Sequence, residues 1–214
     1  MHNIKLPTTV GKLYTVAAPS GVGKTSLVKA LVDTIDHLKV SISYTTRPRR
    51  LGEVDGVNYH FVDEQTFKQM IASHDFLEYA SVFYHYYGTS GKWVQRQLAQ
   101  GNNVILEIDW QGVRQIKRLF PDCVRIFILP PSFYTLKQRL EARAQDSKGI
   151  IEKRMDAGKA ELSHYDEADF LVVNDNFFHA LMMLRSIVET GKLPVSENIA
   201  EVRQLAQRLL TEEY

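Results

Sequence analysis

An α/β fold is what this sequence predicts: a parallel sheet flanked by helices, with an inserted α+β subdomain and a helical lid. Three observations predict it. Short, nearly continuous apolar runs alternate with helical patterns, a glycine-rich turn lies at the first strand-to-helix junction, and a long middle segment follows neither pattern.

The first apolar run is Leu13-Tyr14-Thr15-Val16-Ala17, and Pro19-Ser20-Gly21-Val22-Gly23 breaks it. Leu27, Leu31 and Ile35 then recur at every fourth position, so the order is strand, tight loop, helix. Val104–Asp109, Val124–Leu129 and Phe170–Val173 read as strands buried on both faces. Val113, Ile116 and Leu119-Phe120 mark a helix stopped by Pro121. Leu181, Leu184 and Val188 mark another that ends at Gly191.

Residues 41–100 form the insert, with Asp55-Gly56 expected as a turn between Glu53-Val54 and an alternating strand over Val57–Val62. The stretch from Leu136 to His164 is helical and rich in Lys and Arg, with few apolar anchors, as in a mobile flap. The expected organisation is therefore a core of residues 1–40, 101–135 and 165–214, an insert over 41–100 and a lid over 136–164.

Bulk properties exclude several classes. The 214 residues suffice for a single main domain with modest insertions, and a net charge of +1 supplies no bulk field for a polyanion such as nucleic acid. Cys123 is the sole cysteine, so an intrachain disulfide and a thiolate metal site are excluded and a reducing cytoplasm fits. No eighteen apolar residues run together, and the N-terminus lacks an export signal, so no membrane partner is expected. A homo-oligomer is left open.

The chemistry starts at Ala18-Pro19-Ser20-Gly21-Val22-Gly23-Lys24-Thr25-Ser26, a phosphate-binding loop with Ala18 where the strict pattern has glycine. Glycines let successive backbone N–H groups turn inward, and the helix N-terminus adds partial positive charge. Lys24 is expected on the β- and γ-phosphates of ATP and the Thr25 hydroxyl on Mg²⁺, a hard ion that prefers oxygen donors. Such a site needs an acid at the end of a neighbouring strand, and Glu107 and Asp109 end one, spaced to share a face. Glu107 is the expected second metal contact, through water.

Arg47, Arg49 and Arg50 are a dense source of forked donors suited to a phosphate dianion. Pro19 to Thr25, Thr45-Thr46-Arg47 with Arg50, Gly52-Glu53-Val54, Phe76-Leu77-Glu78, Tyr86-Tyr87-Gly88-Thr89 and Ile108-Asp109-Trp110-Gln111-Gly112, in this order, resemble the guanylate kinase family over nearly the whole chain. The fold that the resemblance implies is of the P-loop NTPase type, with the insert binding GMP.

The resemblance implies that Arg47, Arg50, Tyr59 and Tyr87 bind the GMP phosphate, while Ser43, Glu78, Thr89 and Asp109 face guanine. It further implies that Arg139 and Arg143 approach ATP, that Arg154 stabilises transferring charge, and that Asn174 lies near adenine. The implied catalytic set is Lys24, Arg47, Arg143 and Arg154, and the implied reaction moves a phosphoryl group from Mg-ATP to GMP or dGMP. Two positions depart from the family. Pro48 precedes Arg49 where the family commonly has its proline one later, and Tyr84-His85 replaces the usual Gly-Asn.

Guanine presents N1–H and N2–H₂ donors beside an O6 acceptor, so one carboxylate can take both donors while a hydroxyl serves O6. Two readings compete: a non-catalytic interaction module on the same scaffold, and a kinase for another phosphorylated acceptor. An intact Gly23-Lys24-Thr25 speaks against the first, and Glu78 with Thr89 against the second.

Overall fold

The structure is a computed structural model that describes residues 10–142, 148–194 and 197–212. In chain order the first elements are β1 (Leu13–Ala17), α1 (Lys24–Thr34), β2 (Leu38–Val40), β3 (Tyr44–Thr45), β4 (His60–Phe61) and α2 (Glu64–Ala72). Next come β5 (Phe76–Val82), β6 (His85–Ser90), α3 (Gly91–Ala99), β7 (Asn103–Glu107), α4 (Trp110–Leu119) and β8 (Val124–Leu129). The chain continues with α5 (Phe133–Ala142), α6 (Lys148–Leu162), β9 (Phe170–Val173), α7 (Phe177–Thr190) and α8 (Ile199–Thr211). Among the described residues, no helix is long and apolar enough to cross a membrane.

One sheet has the strand order β2-β7-β1-β8-β9, and β2 with β7 and β8 with β9 pair in parallel. A second, four-stranded sheet has the order β4-β3-β6-β5. The residues fall into two compact units. One joins the described residues up to Thr15 with Asp36–Cys123, and the other joins Val16–Ile35 with the described residues from Val124 onward.

In the first unit β5 and β6 form a two-residue hairpin, closed by the pair Val82 and His85. Its central residues Phe83 and Tyr84 both have positive φ, 49° and 66°, the geometry of a type I′ turn. Phe67 of α2 is fully buried and packs on Phe76 at 4.5 Å and Tyr86 at 5.4 Å between ring centroids, which fastens α2 to the small sheet. The parallel strands read from apolar runs are buried as expected: Val104, Ile105 and Leu106 have no exposed surface.

The hairpin expected over residues 53–62 does not form. Asp55 and Tyr59 make only an isolated bridge, and His60–Phe61 pairs in parallel with β3 instead. Side chains take the backbone donors that a ladder would have used: Val54 N–H donates to Asn58 Oδ1 and Phe61 N–H to Asp55 Oδ1, each at 2.8 Å. Asn and Asp commonly divert a chain from a sheet in this way.

In the second unit the core is built on Leu27 and Leu31 of α1, Ile126 to Leu129 of β8, and Leu184 and Ile187 of α7. Asn176 caps α7 by accepting from His179 N–H at 3.1 Å, and Gly191 ends it in the left-handed region. The stretch expected as a sparsely anchored flap is better anchored than its composition suggested. Phe133, Leu136 and Leu140 of α5 and Ile151, Met155 and Leu162 of α6 are all buried. Within each helix they recur at spacings of three to seven, a stripe that the interleaved Lys and Arg disguise.

Candidate active site

The phosphate loop belongs to the second unit. Strand β1 ends at Ala17, and α1 starts at Lys24, with Gly23 as its N-cap. Gly21 and Gly23 have φ of 96° and 99°, which L side chains rarely adopt. Side chains also crowd these positions: a Cβ on Gly21 would lie 2.7 Å from Leu140 Cδ2, and one on Gly23 would lie 2.7 Å from Asn174 Nδ2. Ala18, Pro19 and Val22 are buried and Ser20 partly so, Lys24 is half-buried, and Thr25 and Ser26 are exposed at the first turn of α1.

Two residues expected on ATP hold the loop's backbone. The Val22 carbonyl accepts from Asn174 Nδ2 at 2.7 Å and from Arg139 Nη1 at 3.1 Å. Arg139 Nη2 also donates to the Asn174 carbonyl at 2.9 Å. The two therefore brace the glycine turn, a function the sequence did not signal because partners from α5 and the end of β9 meet only in the fold. Arg154 lies inside α6 with 9% of its surface exposed. Arg143 falls outside the described residues.

The acceptor residues belong to the first unit, and there the structure brings most of them together. Arg47 Nη2 donates to Glu53 Oε1 at 2.6 Å, and its guanidinium stands 5.4 Å from the Tyr59 ring centroid and 5.8 Å from that of Phe61. Tyr59 in turn meets Tyr87 edge-on at 5.9 Å. Burial, with Tyr87 and Glu107 adding to it, pushes the Tyr59 phenol up to about 12, so at neutral pH it is a hydrogen-bond donor.

Glu53 lies in the Gly52-Glu53-Val54 stretch, and its function is visible only in the fold. Burial alone would raise its pKa, yet hydrogen bonds from Arg47 and from the Arg50 N–H, at 2.8 Å, outweigh that and hold it below the ordinary value. Arg50 is half-buried and Arg49 is exposed.

Glu78 lies in β5 with 4% of its surface exposed. Thr89, fully buried on β6, donates its hydroxyl to Glu78 Oε1 at 2.5 Å. Burial pushes the Glu78 carboxyl up to about 7, with Asp109 adding to the rise and the Thr89 hydrogen bond opposing it. Ser43 is half-buried, and its carbonyl accepts from His60 N–H at 2.9 Å.

Glu107 and Asp109 do not share a strand face as expected, because β7 ends at Glu107. Asp109 is the N-cap of α4: its Oδ1 accepts from Gly112 N–H at 3.0 Å and its Oδ2 from Gln111 Nε2 at 2.9 Å. Asp109 keeps extended dihedrals, φ −88° and ψ 176°, but it lies two residues beyond the end of β7 and its side chain is taken up by the first turn of α4. The hydroxyl of Thr25 and the carboxylate of Glu107 are both hard oxygen donors, the chemistry that suits Mg²⁺.

A strand, a left-handed glycine pair and a helix opening on Gly-Lys-Thr, set on a parallel sheet with helices, define a protein of the P-loop NTPase class. A family model described as "Guanylate kinase" matches residues 10–191, and the chain belongs to that family. It is 53% identical over 202 residues to the guanylate kinase of Methylococcus capsulatus, covering 94% of this chain and 99% of that one. It is 50% identical over 204 residues to the guanylate kinase of Saccharophagus degradans, at 95% and 100% coverage. A crystal structure of guanylate kinase from Anaplasma phagocytophilum superposes with a TM-score of 0.73 at 26% identity, covering 96% of this chain and 98% of that one.

Proposed function

We propose that the protein is an ATP:GMP phosphotransferase that uses Mg²⁺ and turns over GMP and dGMP, in the cytoplasm, in nucleotide recycling. The observation that carries this reading is the buried Glu78 held by the Thr89 hydroxyl at 2.5 Å. An ionised Glu78 accepts from both guanine donors, N1–H and N2–H₂, and a hydroxyl donor such as Ser43 serves O6. Adenine N1 would leave the same desolvated carboxylate unpaired, and sites of this kind reject the wrong ligand by about 10⁴-fold or more.

Arg47, Arg50, Tyr59 and Tyr87 take the GMP phosphate, with Arg47 already held by Glu53. Lys24 and backbone N–H groups of the glycine-bearing loop and the first turn of α1 take the ATP phosphates, while Arg139 and Asn174 keep the loop in shape. Mg²⁺, held by Thr25 and by Glu107 through water, would neutralise charge on the phosphate oxygens. The transferring phosphoryl passes through a loose transition state, so positioning and charge from Lys24, Arg47, Arg143 and Arg154 supply the catalysis, and the acceptor oxygen needs no strong base.

The test is purified protein with Mg-ATP and, in turn, GMP, dGMP, AMP, CMP, UMP and dTMP, following ADP release. Turnover should occur with GMP and its deoxy form. Comparable turnover with AMP would remove the assignment of Glu78 to the base.

A further inference from the structure

Gly112 lies inside α4, in a helical conformation that any residue can adopt, since its φ is not among the positive ones. Glycine is among the poorest helix formers, so its presence in this first turn calls for a packing reason. That reason is visible across the unit. A Cβ built on Gly112 would lie 2.5 Å from Glu78 Oε2, 3.2 Å from Glu78 Cδ and 3.2 Å from Ile108 Cβ.

The helix cannot back away to make room. Gln115, one turn on, clamps the backbone of β5 beside Glu78: its Nε2 donates to the Tyr79 carbonyl at 2.8 Å, and its Oε1 accepts from Tyr79 N–H at 3.3 Å. At the start of the helix, the Asp109 cap holds Gly112 N–H at 3.0 Å. Helix α4 is thus tied to the free edge of β5 by Gln115, one turn from the point where Gly112 faces the carboxylate, while the Asp109 cap fixes the first turn of the helix itself. What can yield is the end of the Glu78 side chain.

We propose that Gly112 is a specificity-positioning residue, whose missing side chain leaves the space in which the Glu78 carboxylate is held for reading guanine. The proposal rests on Glu78 being the base-reading group. A methyl at position 112 leaves the fold standing but drives Oε2 back from 2.5 Å toward the 3.4 Å of ordinary contact, and so displaces the carboxylate that Thr89 holds through Oε1. A displacement of about 1 Å in a positioning group costs up to about a hundredfold. The nearest atoms that the methyl group meets belong to Glu78 and Ile108, residues of the same unit as Gly112.

The experiment measures KM for GMP and for ATP in Gly112→Ala, Glu78→Asp, Glu78→Gln and the double variant Gly112→Ala/Glu78→Asp, each checked by thermal melting. Gly112→Ala should raise KM for GMP by about tenfold or more, with KM for ATP within about twofold and no fall in melting temperature. Aspartate is shorter by one methylene and withdraws from the new methyl, so in the Glu78→Asp background the same alanine should cost less than about threefold.

A KM for GMP within twofold of wild type in Gly112→Ala, when Glu78→Gln raises it, overturns the inference alone. Equal cost in both backgrounds overturns it too. If Glu78→Gln is also harmless, the base-reading assignment falls and the inference with it. Should Gly112→Ala fail to fold, recovery of the fold in the double variant supports the Glu78 contact, and its failure overturns it.

Discussion

The Thr89 hydroxyl donates to Glu78 Oε1 at 2.5 Å across the β5–β6 hairpin, with both residues buried. This pair holds a carboxyl that burial has pushed up to about 7. A side chain that prefers to be neutral at the pH where its ionised form is needed links stability to recognition with opposite signs.

The first consequence concerns recognition. Glu78→Gln replaces one acceptor oxygen with an NH₂ that faces a guanine donor, at about 1–3 kcal/mol for the unpaired groups, or roughly ten- to a hundredfold in GMP affinity. Titration calorimetry should show that loss with ATP affinity unchanged. In the wild type, GMP affinity should improve as pH rises through about 7, because the ionised form accepts both donors. The variant should lack that limb.

Stability should run the other way. Glu78 titrates at about 7 when folded against an ordinary 4.5, so between these values the folded chain holds a proton that the unfolded chain has lost. Unfolding free energy therefore falls as pH rises from 4.5 to about 7, by up to a few kcal/mol. Urea melts across this range should show a shallower decline for Glu78→Gln, which melts at higher urea than wild type at pH 8.

Lys24 opens α1 directly after the left-handed Gly23. Lys24→Met should lower kcat by about 10²–10³ with the fold intact by circular dichroism, since the charge acts on the moving phosphoryl group. Near-normal turnover by the folded variant would remove the phosphate-loop assignment.

Glu53 holds Arg47 at 2.6 Å and the Arg50 N–H at 2.8 Å, and its pKa lies below the ordinary 4.5. Glu53→Gln should raise KM for GMP by about five- to thirtyfold, the equivalent of roughly 1–2 kcal/mol, with kcat less affected. The carboxylate's contribution to stability is present above pH 4.5 and lost as pH falls through the lowered folded value. The acid limb of a stability profile should flatten in the variant.

Tyr84 is almost fully exposed at the hairpin tip, with φ at 66°. A left-handed conformation costs a non-glycine residue roughly 1–2 kcal/mol. Tyr84→Gly should therefore raise the melting temperature by about 2–4 °C or more, with GMP kinetics unchanged. No gain in differential scanning calorimetry would mean that the tyrosine ring offsets the strain.

The sequence by itself determined the parallel strands, the phosphate loop, and the ends of α4 and α7. These rest on local signals: runs of apolar residues, glycines where φ must be positive, and a stop at Pro121 or Gly191. Lys24, Thr25, the arginines after Thr46 and the Glu78 and Thr89 pair were legible as motifs. The small sheet's hairpin was not, because Phe83-Tyr84 carries no turn signature and Asp55-Gly56 carries a misleading one.

Only the tertiary structure decided the state of the site. A glutamate looks the same in sequence whether solvated or buried, and what buries Glu78 comes from a hairpin partner and from α4, far along the chain. The same holds for Asp109 as a cap and for Arg139 and Asn174 meeting on the Val22 carbonyl. Periodicity and turn chemistry act between neighbours in the chain, whereas desolvation, and with it the pKa of a carboxyl, depends on which distant atoms exclude water.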